Sequence, residues 1–126
     1  MPTKKTSPQT PPPFEDQVDY GPAGEQKVKN WKKEFGDVGY LQIPLVQNGE
    51  TLECHAYIRR PNFREISLAF RYRRDDPVKA GQVFVENCLL EVSPQLKENA
   101  FGHSSLCVGA FQWVNQMTPL PTIDTF

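Results

Sequence analysis

Apolar and polar positions change their period several times along the chain, and each change marks an element. In "EQKVKNWKKEFG" Val28, Trp31 and Phe35 fall on one helical face and lysines on the other, and Gly36 stands where a left-handed cap belongs. A helix of about ten residues is unstable alone, so Trp31 is expected to pack on the rest of the fold. The period then shortens to two. In "YLQIPLVQNGETLECHAYIR" Leu52, Cys54, Ala56 and Ile58 alternate with Glu53, His55, Tyr57 and Arg59. Asn48-Gly49 lies between two strand-like runs, and both residues accept positive φ, which predicts a hairpin with one apolar and one mixed face. Pro44 withholds a backbone donor, which places the first strand at a sheet edge or interrupts it.

Helical spacing returns in "RPNFREISLAFRYRRD". Pro61 closes the strand, and Asn62 with Glu65 three residues later forms a capping box. Phe63, Ile66 and Phe70 make one stripe and Leu68 and Tyr72 another, so this helix is expected to meet two surfaces. In "DDPVKAGQVFVENCLL" Asp76 caps, Pro77 takes the first helical position, and Val78, Gly81, Val85 and Cys88 or Leu89 give a buried stripe. A glycine inside a helix costs about 1 kcal/mol against alanine, so Gly81 implies close approach of another backbone. Ser93-Pro94 can begin a short turn. A last helix falls within "NAFGHSSLCVGAFQWVNQM", whose many small residues allow close packing, and "TPLPTIDTF" stops it.

The first 25 or so residues have no such period, and Pro11-Pro12-Pro13 favours an extended polyproline conformation. The expected organisation is α+β in a single domain: a β-hairpin packed with three to four short helices over residues 27–117. A proline-rich arm, 1–26, extended or disordered when free, precedes it, and a short extended tail, 118–126, follows.

Composition alters this picture little. The net charge of −1 does not select a partner. Cys54, Cys88 and Cys107 are odd in number, far apart and set among apolar neighbours; reduced, buried thiols are expected, which suits an intracellular site of synthesis. No apolar run reaches the roughly 18 residues of a membrane span, and the N-terminal lysines are not followed by a secretory apolar stretch. His103 and Cys107, four apart, form the single Cys–His arrangement a helix could bring together, and core filling by the thiol is the favoured reading. Asp75-Asp76 before Pro77 reads as a cap rather than an acid pair. Gly21-Pro22-Ala23-Gly24 lacks the lysine and hydroxyl of a phosphate loop. No enzyme activity, cofactor or metal is expected.

Charge distribution is more informative than its sum. Every arginine, Arg59, Arg60, Arg64, Arg71, Arg73 and Arg74, lies within residues 59–74, where Glu65 alone opposes them. Arg64 and Arg71, seven apart, share a helical face, and Arg74 lies at its edge. Protein docking is favoured over an ordinary solvated face and over nucleic-acid binding, because no nucleic-acid motif accompanies the patch and arginine pairs readily with carboxylates. The residues expected to carry docking are Arg60, Arg64, Arg71 and Arg74, with Phe14, Val18, Tyr20 and Phe126 as apolar anchors on the extended ends.

Taken together, "NWKKEFGDVGYLQI", "CHAYIRRPNFREISLAF" and "DDPVKAGQVFVENCLL" resemble a family of small proteins encoded in the structural-gene modules of tailed bacteriophages and prophages, proteins similar to tail assembly chaperones. The likeness covers about residues 30–90. It ends after Asn87-Cys88, which lead here into Leu89-Leu90-Glu91-Val92 rather than the family's Trp-Leu-Gly-Gly. The resemblance implies a non-enzymatic bacteriophage assembly protein, either chaperone-like or a virion component, with other head, neck or tail proteins or further copies of itself as partners. It would be found in the host cytoplasm during assembly and then in the virion. The second reading is a small nucleic-acid-binding protein using the arginine-rich helix; no membrane partner is expected.

Overall fold

Asn48 and Gly49 reverse the chain with φ of 54° and 78°, the left-handed pair that a two-residue hairpin turn requires. They join strand β1 (Val38–Gln47) to strand β2 (Glu50–Arg59), which pair antiparallel along their whole length, from Gln47 opposite Glu50 to Val38 opposite Arg59. Hydrogen-bonded and non-bonded pairs alternate outward from the turn, so Pro44, opposite Glu53, falls where its nitrogen faces away from β2. The missing donor leaves the ladder intact and removes one from the open edge.

The structure is a computed structural model that describes residues 19–72, 75–119 and 121–126. Phe14, Val18 and Arg74, three of the expected docking residues, lie outside that range. In chain order, helix α1 (Glu25–Phe35) precedes the hairpin, and helices α2 (Phe63–Phe70) and α3 (Pro77–Cys88) follow it. A third strand, β3 (Leu89–Val92), a short helix α4 (Pro94–Glu98) and the long helix α5 (Ala100–Met117) complete the fold. The α+β class is as expected; among the described residues there are three antiparallel strands instead of two and five helices instead of three to four.

The helical reading of "VENCLL" runs too far. Helix α3 ends at Cys88, and Leu89–Val92 turns extended to pair with the free side of β2, which becomes the central strand. Four residues of mainly apolar character carry no period that separates a helix end from a strand. The open backbone edge of β2 decides between them. Ser93 prolongs the contact, its N–H donating to the His55 carbonyl at 2.9 Å and its hydroxyl accepting from the His55 N–H at 2.9 Å.

The inner face of the sheet carries Leu52, Cys54, Ala56 and Ile58, opposite Leu45, Ile43, Leu41 and Gly39 on β1. Helices α3 and α5 cover it, contributing Phe84, Cys88, Leu106, Cys107, Ala110 and Val114, all essentially buried. The two helices cross where Gly81 meets the α5 backbone: a Cβ on Gly81 would collide with the carbonyl of Cys107. The close approach expected of this glycine is there. Gly39 likewise leaves room for the ring of Trp113. Two positions expected in buried stripes are not buried. Val78 is 37 % exposed and Phe63 is 86 % exposed, because α2 meets α3 through Ala69, with Ile66 and Phe70 only partly covered.

The outer face is closed by the chain's own beginning. Tyr57 is 1 % exposed, beneath Trp31 of α1 at 5.2 Å between ring centroids and beside Tyr40 at 5.0 Å. Its hydroxyl donates to the Tyr20 carbonyl at 2.6 Å and accepts from the Ala23 N–H at 3.1 Å. Gly21, at φ 72°, passes so near the Tyr57 and Tyr40 rings that a Cβ would strike both. Of the stretch assigned to the arm, residues 20–24 therefore rest on the sheet and α1 starts at Glu25. At the other end, residues 121–126 form no regular element, and Ile123 and Phe126 are exposed.

Gly81→Ala tests the helix crossing. The obstacle is backbone and cannot rotate aside, so the substitution is expected to cost about 3 kcal/mol, read as a lowered urea midpoint with an unchanged slope.

Candidate docking surface

The arginine window begins with a residue that holds the fold together. Arg59, at the end of β2, makes a two-pronged ion pair with Glu65 of α2, Nη1 to Oε1 at 3.1 Å and Nη2 to Oε2 at 2.8 Å. The same guanidinium donates to the carbonyl of Asn87 near the end of α3 at 2.9 Å, and to that of Arg60 at 3.0 Å. Strand, α2 and α3 thus meet at one side chain. Glu65 also closes the capping box expected with Asn62: its carboxylate accepts from the Asn62 N–H at 2.9 Å, and Asn62 Oδ1 accepts from the Glu65 N–H at 2.8 Å. The Cys88 thiol adds a donor at 3.4 Å. Hydrogen bonds from Arg59 outweigh desolvation and hold the Glu65 carboxyl below the usual carboxylate range; the same contact raises Arg59 above its ordinary value.

Once Arg59 engages Glu65, the window's acid no longer faces its other arginines. Arg64 and Arg71 project from a different side of α2, both exposed, and line a shallow cleft of about 380 Å³ with Phe63, Ser67 and Leu68. Leu68 also borders a neighbouring cleft of about 240 Å³ between α2 and α3, where Lys79 lies 4.8 Å over the ring of Tyr72. A large aromatic ring in water, in one cleft with two exposed arginines, is the chief feature of this surface. Asp75, Asp76 and Glu86 lie nearer α3, and Asp76 is occupied in capping, its Oδ1 accepting from the Lys79 N–H at 3.0 Å.

Of the expected docking residues that the structure describes, Arg64 and Arg71 come together and the others do not. Arg60 stands apart, 3.9 Å from Asp37, with both side chains 63 % exposed, a pair of little energetic weight. Tyr20 is half-buried and tied through its carbonyl to Tyr57 of its own sheet. Phe126 is exposed in the tail. Arg64 and Arg71 share one face, as their spacing implied. Sequence reasoning did not separate Arg59 from the other arginines, since no spacing rule spans the turn from strand to helix. It also took Phe63 for core.

The alternative chemistries find little here. Cys54, Cys88 and Cys107 are free and buried. Burial pushes the Cys88 thiol up to about 12 and Cys107 up to about 11, and raises Cys54 as well. His103 Nε2 does lie 3.7 Å from the Cys107 sulfur, but a thiol so shifted stays protonated at neutral pH and is a poor nucleophile. Among the described residues no three His, Cys, Asp or Glu side chains gather as a metal ion would need, and no helix is long and apolar enough to cross a membrane.

Comparison with known proteins adds no constraint: no family model matches the chain, and neither the curated proteins nor the solved structures yield a match.

Two outcomes follow from this geometry. Native protein at neutral pH is expected to leave all three thiols unreacted toward an aromatic disulfide reagent, with full reaction on unfolding. Glu65 has a folded-state pKa depressed from 4.5, so its contribution is complete above about pH 4.5 and is lost as pH falls through the depressed value. Glu65→Gln should therefore cost about 2 kcal/mol at neutral pH, the scale of charge-assisted hydrogen bonds, and flatten the acid limb of a denaturation midpoint–pH curve.

Proposed function

We propose that this chain is a non-enzymatic assembly protein of a tailed bacteriophage, acting by docking onto other proteins of the particle or onto further copies of itself. It would be a subunit of head, neck or tail, or a chaperone-like factor bound to an unassembled tail protein in the host cytoplasm. The observation that carries the docking reading is the outward face of α2, with Phe63 86 % exposed and Arg64 and Arg71 turned the same way. Interfaces favour such aromatic and arginine anchors, which combine apolar area with a planar fork for carboxylates. The phage assignment rests on the sequence resemblance over residues 30–90.

Nucleic-acid binding is the second reading, supported by Arg64 and Arg71 lying exposed on one face. The two differ in salt dependence and in where the protein is found. Quantitative mass spectrometry of purified particles is expected to find the chain at fixed stoichiometry if it is a subunit. If it is chaperone-like, it should be confined to infected-cell fractions, bound to a tail protein. Absence from both would end the proposal. A nucleic-acid protein would instead bind duplex or single-stranded fragments with an affinity falling steeply as salt rises, and Arg64→Ala with Arg71→Ala would reduce that slope by about two.

A further inference from the structure

The exposed face of α2 has a complement within the same chain. Residues 14–19, "FEDQVD", carry Glu15, Asp16 and Asp19 with no basic residue, and set Phe14 and Val18 on either side of Glu15 and Asp16. The α2 face offers a complement: Arg64 and Arg71 beside Phe63 and Leu68. Lengths agree as well. Eight helical residues rise about 12 Å, and an extended chain covers about 13 Å from residue 14 to residue 18. In an extended chain Phe14, Asp16 and Val18 share one side, so the apolar pair and one acid can face the helix together while Glu15, on the other side, lies at its flank near the same arginines.

We propose that residues 14–18 of one copy dock on the α2 face of a second copy, with Glu15 and Asp16 paired to Arg64 and Arg71. A second copy, rather than the same one, is indicated by where the segment leaves the body. Residues 20–24 are held against Tyr57 and Tyr40 on the outer face of the sheet, and the Asp19 carboxylate accepts from the Gly21 N–H at 2.8 Å. Helix α2 packs on α3, which covers the inner face, whereas the segment leaves from the outer face. Donor and acceptor are different surfaces and each copy carries one of each. Such a contact can close into a reciprocal pair or a ring, or, where the rotation does not close, run on as an open filament.

The inference rests on the docking reading above but can fail separately from it. Its test is sedimentation of the purified full-length chain over a range of concentrations, comparing wild type with Arg64→Glu/Arg71→Glu, with Glu15→Arg/Asp16→Arg, and with all four changes together. Arg64 and Arg71 are solvent-exposed, and far-UV circular dichroism and thermal melts check that each variant folds. Wild type is expected to self-associate, each double variant to weaken association about tenfold or more, and the fourfold variant to recover most of it, because reversed charges again face one another. A wild type that stays monomeric at every concentration overturns the proposal, as does association indifferent to either reversal, or a folded fourfold variant that does not recover. A monomer whose incorporation into particles is lost on Arg64→Glu/Arg71→Glu would sink self-pairing and leave docking to another protein intact.

Discussion

The ion pair between Arg59 and Glu65 is the constraint on which the arrangement of the outer helices depends. One guanidinium joins the end of β2, the first turn of α2 and a carbonyl near the end of α3, and it does so with both side chains largely withdrawn from water. The partners are hydrogen-bonded on several sides, which is the condition under which a sheltered charge pair is tolerable. Its effect on the surface is as important as its effect on stability. By engaging the sole acid among six arginines, it leaves a different side of α2 with positive charge facing solvent.

The two faces of the sheet are covered by different means. The inner face is a conventional apolar layer in which Gly81 allows α5 to pass close to α3, and most of the buried volume lies there. The outer face is aromatic: Tyr57, Tyr40 and Trp31 stack or tilt against one another under α1 and the turn at residues 20–24. A tyrosine can be almost wholly buried only if its hydroxyl finds partners, and here the backbone of that turn supplies one donor and one acceptor. The segment leading toward the N-terminus is thereby fixed at a known point on the body.

Features governed by local backbone chemistry were legible in the sequence. Asn48-Gly49, the Asn62–Glu65 box, the Asp76-Pro77 start and the glycine at the helix crossing each satisfy a demand that few residue types meet. Features governed by what lies opposite were not. Strand β3 exists because β2 had a free edge, and Phe63 is exposed because α3 engages the Ala69 side of α2. Tyr57 looked like half of a mixed face, since its cover comes from a stretch with no periodic pattern. At the candidate surface, the seven-residue spacing placed Arg64 beside Arg71, whereas the distinct role of Arg59 depends on a turn whose geometry no spacing encodes.

The clasp on Tyr57 also bears on where this chain can be trimmed from its N-terminal side. A fragment trimmed to the first residue of α1 would keep every helix and strand yet strip the phenol of both backbone partners and open an aromatic layer to water. Any truncation intended to isolate the body must therefore retain the turn at residues 20–24, although that turn belongs to neither a helix nor a strand.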